Sequence, residues 1–340
     1  MKKISLKDIA EATHLSKTTV SFILNGKGGE NNISKETIDR VLETARRLDY
    51  RPNFLAKSLL SGKSNTIGLI VPRITDTFFA QIATEVEQEA LGHGYTVVYG
   101  STQEDSTREQ KLIDTFTGKQ VDGLIIASSM RNHEGIKHLL DIKYPFVLID
   151  RYYDDLMTPR VAVENEAASY RIVNTLIEKG YKNIALVTVS SHLPLMQERA
   201  AGYRKALADK EIEFSGDIIF EADTADMENS VCSIINHLLD ATPKIDAIYF
   251  TTHYLASLGF KYLRDRQVAI PGDLAVCCFG DSPYLELLEP SITAIPMPAA
   301  RMGREATRIL LQQLTATPGA FDEAQIQITL PLHIASRNSW

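Results

Sequence analysis

The sequence predicts an α/β protein: a small all-α helix-turn-helix domain followed by two doubly wound parallel-sheet subdomains. Three observations predict it. The first 50 residues read as three short helices with apolar residues at helical spacing. From residue 66 onward, short apolar runs rich in β-branched residues alternate with helical stretches. That alternation fills two blocks of about 100–120 residues, each the size of a domain.

The elements follow in chain order. Leu6 to Thr13 is a helix that turns Ile9 and Ala10 inward, with Leu6 one turn earlier. His14-Leu15 makes a tight turn. Ser16 caps a second helix by accepting a backbone N–H bond, and that helix runs to about Leu24. Asn25-Gly26 stops it. Ala10, Leu15 and Val20 are small or apolar where the first two helices must touch. A polar loop, Lys27 to Ile33, leads to a third N-cap at Ser34. Ile38, Val41, Leu42, Ala45 and Leu48 then repeat at helical spacing. Pro52 ends that helix, because the residue before proline disfavours the α region. Asn53 to Ser61 forms a short fourth helix, and Gly62 to Asn65 a linker.

The predicted strands are 66–72, 95–101, 121–128 and 145–150 in the first block, with helices at 78–92, 106–119 and 132–142, and the rhythm resumes after Val161-Ala162-Val163. The second block places strands at 183–189, 217–223, 246–252 and 274–280, each preceded by a helix. Near-continuous apolar strands between helices mean a parallel sheet covered on both faces. The expected division is 1–62 for the helical domain and 63–340 for the remainder. Within the latter, one subdomain takes 64–162 and 293–326, the other 163–292 and 327–340.

Composition narrows the function classes. The 340 residues carry a net charge of −7, and this hides an asymmetry. Residues 1–63 hold 12 Lys/Arg against 7 Asp/Glu, a net of +5; the rest holds 24 against 36, a net of −12. The local field of the basic unit, not the total, decides whether it can meet a polyanion. No apolar run is long enough to span a membrane, and residues 1–8 lack a signal-peptide core, so a cytoplasmic location is expected. Cys277 and Cys278 sit in an apolar run and read as buried hydrophobes. No metal-ligand spacing is visible and no cofactor is expected. Alternating β and α elements also build enzymes. Yet the chain lacks G-x-G-x-x-G after its first strand, and lacks G-x-S-x-G and the phosphate-loop pattern. The glycine-rich stretch GKGGENN lies between helices of the basic unit. An enzyme is therefore not expected.

Helix-turn-helix spacing alone is a weak signal. A set of motifs sharpens it: LKDIAEATHLSKTTVSFILNG, YRPN before the linker, IGLIVP opening the core, then KQVDGLIIAS, VLIDR, RAAGY at 199–203 and FGDSPYLELLEPSITAI. Together these resemble the lactose/galactose-repressor family of bacterial transcription regulators across essentially the whole chain. The resemblance implies a core like that of periplasmic sugar-binding proteins and a homodimer. It also implies two partners: a pseudo-palindromic operator in double-stranded DNA, and a small carbohydrate effector. A pure transport-type sugar binder is the rival reading. It predicts a signal peptide and no basic unit.

The resemblance carries over residue by residue. Lys17, Thr18 and Phe22 match base-contacting positions. Ser16, Thr19, Ser21 and Asn25 match positions that contact phosphate or shape the helix. Asn53 to Leu60 matches a hinge helix that orders on operator binding; Asn53 opens it and Leu59 matches the wedge that kinks the minor groove. Lys57 adds phosphate attraction. The effector pocket is expected between the subdomains at strand C-termini. Asp76 follows the first core strand, with Phe78 and Phe79 behind it. A carboxylate takes sugar hydroxyls, and one of the two rings takes the sugar's C–H face. Asp150 and Arg151 end a strand, Arg199 matches the family's ligand arginine, and Thr252 and Asp281 complete the set. Each charge alone reads equally well as a solvated loop residue; their convergence favours a ligand.

The chain also departs from the family pattern. His14 stands where the tight turn usually has glycine, and histidine tolerates positive φ better than most residues. Phe22 replaces a polar or tyrosine side chain; it cannot donate to a base edge but can contact a thymine methyl. Thr252-His253 replaces a polar residue followed by Asp, and Gly280 stands at a familiar ligand carboxylate position. The last two changes, with KTTVSF and the long loop GKGGENN, resemble the fructose- and sucrose-repressor branch, which suggests a sugar or sugar phosphate held by Arg151 and Arg199.

Overall fold

A computed structural model describes residues 4–50, 62–212, 218–316 and 326–340. The chain divides into two compact units, Met1–Ser64 and Asn65–Trp340.

The first unit holds α1 (Leu6–Thr13), α2 (Lys17–Leu24) and α3 (Lys35–Arg47). A serine caps each helix, Ser5, Ser16 and Ser34 in turn, by accepting a backbone N–H of the first turn. At Ser5 the bond is reciprocal: Asp8 Oδ2 accepts from Ser5 N at 2.7 Å, a capping box. His14 takes the left-handed conformation at φ 54°, so the departure from glycine in the tight turn is accommodated without a change of turn type. Asn25 caps the end of α2 and Gly26 turns the chain at φ 75°. Ile9, Ala10, Val20, Ile23, Val41 and Ala45 are buried together, so every helix contributes to one small core.

The second unit alternates strands and helices. Its first part runs β1 (Thr66–Val71), α4 (Thr77–Gly92), β2 (Thr96–Ser101), α5 (Ser106–Gly118), β3 (Gly123–Ile126), α6 (His133–Asp141), β4 (Phe146–Ile149) and β5 (Arg160–Val163). Next come α7 (Asn165–Glu178), β6 (Ile184–Val189), α8 (Pro194–Asp209), β7 (Ile219–Ala222), α9 (Met227–Leu239), β8 (Ala247–Phe250) and α10 (His253–Asp265). It closes with β9 (Ala275–Phe279), α11 (Pro283–Leu287), β10 (Thr293–Ile295), α12 (Ala299–Thr315) and β11 (Gln327–Leu330). The strands form two sheets, ordered β11-β5-β4-β3-β1-β2 and β10-β9-β8-β6-β7. Every pairing between named strands is parallel.

Both faces of both sheets are covered. One apolar cluster runs through the two sheets, joining Ile67 and Leu69 to Leu186, Tyr249 and Phe279. A second fills the other face of the second sheet around Val187, Ile248 and Val276; a third fills the other face of the first sheet around Leu124, Ile126 and Leu148. This burial explains the uninterrupted apolar runs in the sequence.

Strand pairing corrects the expected subdomain limits at the C-terminal crossovers. β10 pairs with β9, so residues 293–295 belong to the second sheet, not the first. β11 pairs with β5, so residues 327–330 belong to the first. Reading β10 onward as the return to the first sheet placed the crossover one strand too early. Periodicity identifies strands but not their neighbours.

Candidate functional site

The first candidate is the exposed side of α2. Lys17 and Thr18 are exposed, while Thr19, Ser21 and Phe22 are half-buried. Ser16 Oγ accepts from Thr19 N at 3.0 Å, and Asn25 Nδ2 donates to Ser21 O at 2.8 Å. Both side chains therefore hold the ends of α2. Asn53, Lys57 and Leu59, with the hinge helix expected over 53–61, lie outside the described residues.

The second candidate lies where strands of both sheets end. Asp76 follows β1, Glu104 follows β2, Asp150 and Arg151 follow β4, His253 follows β8 and Asp281 follows β9. The C-terminal edge of parallel strands is where open α/β sheets place their ligands.

Arg199 comes from α8, and the RAAGY motif explains how. A Cβ at Gly202 would collide with the Glu166 carbonyl oxygen, so glycine permits the close crossing of α7 and α8. Tyr203 is fully buried and its hydroxyl donates to Ile184 O at 2.6 Å, pinning α8 to β6. One turn back, Arg199 is 6 % exposed. Its Nε donates to Asn165 Oδ1 at 3.0 Å, one terminal nitrogen donates to Thr251 O at 2.9 Å, and its face lies 3.7 Å from the Phe279 ring centre. Burial lowers its pKa to about 10, against the pull of Asp150.

Asp150 is buried at φ 67°. Burial pushes its carboxyl up, opposed by Arg151 and Arg199 and reinforced by Asp76 and Glu104. His253 interacts with Asp76, Arg199 and Asp281, and burial lowers its pKa. Asp76, Asp150, Arg199, His253 and Asp281 thus form one electrostatic cluster.

Several expected ligand groups already have partners. Arg151 grips Glu104 with both terminal nitrogens, at 2.7 and 2.8 Å, and also donates to Ser128 O. Asp281 takes Arg337 in the same two-point manner, at 3.0 and 2.6 Å. Asp76 caps α4 by accepting from Phe78 N at 2.9 Å, and Thr252 caps α10 by accepting from Leu255 N at 3.1 Å. Phe79 belongs to the core, whereas Phe78 is half-buried and meets it edge-on. Of the two rings considered for the sugar face, Phe78 has the more accessible position.

The departures at 252–253 and 280 are linked in space. Gly280 adopts φ 79°, and a Cβ there would stand 2.9 Å from His253 Nδ1. The absent carboxylate and the added imidazole are neighbours. Sequence reasoning singled out His253 only as a departure, and passed over Glu104, Asn165 and Arg337. Their partners lie 47, 34 and 56 residues away, at separations no local motif encodes.

A further contact joins the loops that follow β3 and β6. His192 Nε2 lies 2.8 Å from Ser129 O, which can only accept, so Nε2 carries the proton. His192 Nδ1 then accepts from Arg131 at 3.0 Å. Behind it, buried Glu109 accepts from Ser128 Oγ and Ser129 N, and fixes the loop that feeds Arg151.

α12 covers one side of α4 within the same chain: Arg304 pairs with Glu85 and Arg308 with Glu89. Leu91 stays 71 % exposed.

A helix-turn-helix unit joined in sequence to a two-sheet α/β core with ionisable groups at its strand ends defines a ligand-responsive DNA-binding regulator. Residues 5–53 match the family of bacterial regulatory proteins of the lacI type, and residues 64–334 match the family of periplasmic binding proteins and sugar-binding domains of LacI regulators. The chain belongs to the LacI family. It is 31 % identical to the ribose operon repressor of Halalkalibacterium halodurans, over 92 % of this chain and 91 % of that one. It is 29 % identical to catabolite control protein A of Priestia megaterium, over 99 % of both chains. Among solved structures, transcription regulator CcpA of Lactococcus lactis matches with a TM-score of 0.71 at 26 % identity, over 81 % of this chain and 98 % of that one. The lac repressor dimer bound to operator and the anti-inducer ONPF shares the fold, with a TM-score of 0.84 at 20 % identity over 99 % of both chains. LacI-family members are DNA-binding regulators, not enzymes. No described helix is long and apolar enough to cross a membrane.

Proposed function

We propose that the protein is a homodimeric repressor that reads a pseudo-palindromic operator through α2 and senses a sugar at the strand ends of its core. The observation that carries the sensing role is the convergence of Asp76, Asp150, Arg199, His253 and Asp281 on one cluster drawn from both sheets. Carboxylates and an imidazole suit sugar hydroxyls, and Phe78 suits a C–H face. A cytoplasmic location goes with this role.

On the DNA side, Lys17 and Thr18 approach base edges. Phe22 reads a thymine methyl by apolar contact, and Ser16, Thr19, Ser21 and Asn25 keep α2 in shape beside the phosphates. Asn53, Lys57 and Leu59 complete the minor-groove contact, with Leu59 as the wedge. Ligand must favour one of two states of the core for the two sites to be coupled. For dimerisation, the exposed apolar side chains of Leu91 on α4, Tyr254 on α10 and Tyr284 and Leu287 on α11 offer contact surface.

Removing residues 1–62 tests the division of labour. Specific DNA binding is lost, and sugar binding, read by thermal shift, is retained. Operator binding by the shortened chain would overturn the assignment.

A further inference from the structure

Phosphorylated and free sugars make different demands on a site. A phosphate monoester carries about −1.5 to −2 charges near neutral pH and calls for unengaged guanidinium or ammonium donors. A free sugar offers only hydroxyls and C–H faces.

In this cleft Arg151 and Arg337 are already engaged, and Arg199 is partly so. Arg151 is 8 % exposed, and the fork that would grip a phosphate is filled by Glu104 at 2.7 and 2.8 Å. Arg337 is held by Asp281 at 3.0 and 2.6 Å. Arg199 commits Nε to Asn165 and one terminal nitrogen to Thr251, with its guanidinium carbon 3.7 Å from the Phe279 ring centre. The carboxylates Asp76, Glu104, Asp150 and Asp281 already stand among Arg151, Arg199 and Arg337 before any ligand arrives.

A phosphate could reach Arg151 only by expelling Glu104. That carboxylate already acts unfavourably on buried Asp150, as does Asp76. Freed from Arg151, it would stand uncompensated beside them. A hydroxyl, by contrast, can donate to Asp76 or Asp150 without adding charge.

We infer that the cleft takes an unphosphorylated sugar and rejects its phosphate esters, and that Glu104 sets this selectivity by occupying the phosphate-binding edge of Arg151. The inference rests on the reading of this cleft as a sugar site. It narrows the sugar-or-phosphate expectation drawn from the branch resemblance to the uncharged member.

Calorimetric titration of the full chain tests it, with a panel of free hexoses, pentoses and disaccharides, each beside its phosphate ester. At least one free sugar binds, and its ester binds at least 30-fold more weakly. Esters binding as tightly as the free sugars, or more tightly, would overturn the selectivity and leave the sugar site standing. Binding of neither class would remove the sugar site and the selectivity together.

Glu104→Gln should move the ester-to-free affinity ratio at least tenfold toward the ester; an unmoved ratio would take the selectivity away from Glu104. Glu104→Asp keeps the charge and should keep the rejection. The wild-type ratio needs no variant, so poor folding of either leaves the test intact.

Discussion

The helix-turn-helix unit and the cleft use polar side chains in opposite ways. In the first unit the polar contacts are short in sequence: Ser16 serves Thr19, and Asn25 serves Ser21. In the cleft the contacts of the arginines are long: Arg151 serves Glu104, Arg199 serves Asn165 and Arg337 serves Asp281. A local contact sets the shape of one helix. A distant one ties separate elements together, so a change there reaches everything they hold. Single substitutions should therefore act mildly on the first unit and severely on the cleft.

Arg199→Ala should show the largest effect. It removes one of the two buried cations that offset Asp150, and weakening a buried charge set in this way costs up to about 3 kcal/mol. Chemical denaturation of the core should register that loss. The effector response should vanish while DNA binding remains. An unchanged sugar titration would take Arg199 out of the site.

Ser16→Ala should cost about 1 kcal/mol, the ordinary worth of an N-cap, read as the unfolding stability of residues 1–64. Ser16→Asn should keep most of it. A loss as large as that of Arg199→Ala would break the contrast between the two regions.

The smallest effect concerns pH. Burial lowers the His253 pKa below that of the unfolded chain, so its neutral form is favoured in the fold. The stability it contributes is complete above the unfolded value, near 6.5, and is lost as pH falls toward the lower folded value. Between pH 7.5 and 5.5 the wild type should lose more stability than His253→Gln, by at most about 1.4 kcal/mol per pH unit. Equal losses would mean that His253 is not held neutral by its surroundings.

The same contrast explains what could be read in advance. The three helices, the caps at Ser16 and Ser34, the turn at His14 and strands β1–β4 and β6–β9 follow from neighbours within a few residues. Asp76, Asp150, Arg199 and Asp281 were placed by motif and by the strand-end rule. Glu104 and Arg337 were missed because pairing across tens of residues leaves no periodic trace. Phe79 was offered beside Phe78 as a ligand ring because a core ring looks the same in sequence as a binding ring. Strands β10 and β11 were not predicted, and the ranges that contain them were assigned to the wrong sheets because sequence pattern does not name a strand's neighbours.

The central claim is that one chain couples a DNA-reading helix to a sugar in its core. Selection of bound duplexes from a random-sequence library by the full chain, with and without the free sugar that binds it, tests this most directly. The recovered sequences should be pseudo-palindromic, with half-sites spaced for two copies of α2, and their affinity should change at least fivefold when the sugar is added. Recovery of no common sequence, or of one whose affinity is the same with and without sugar, would contradict the account.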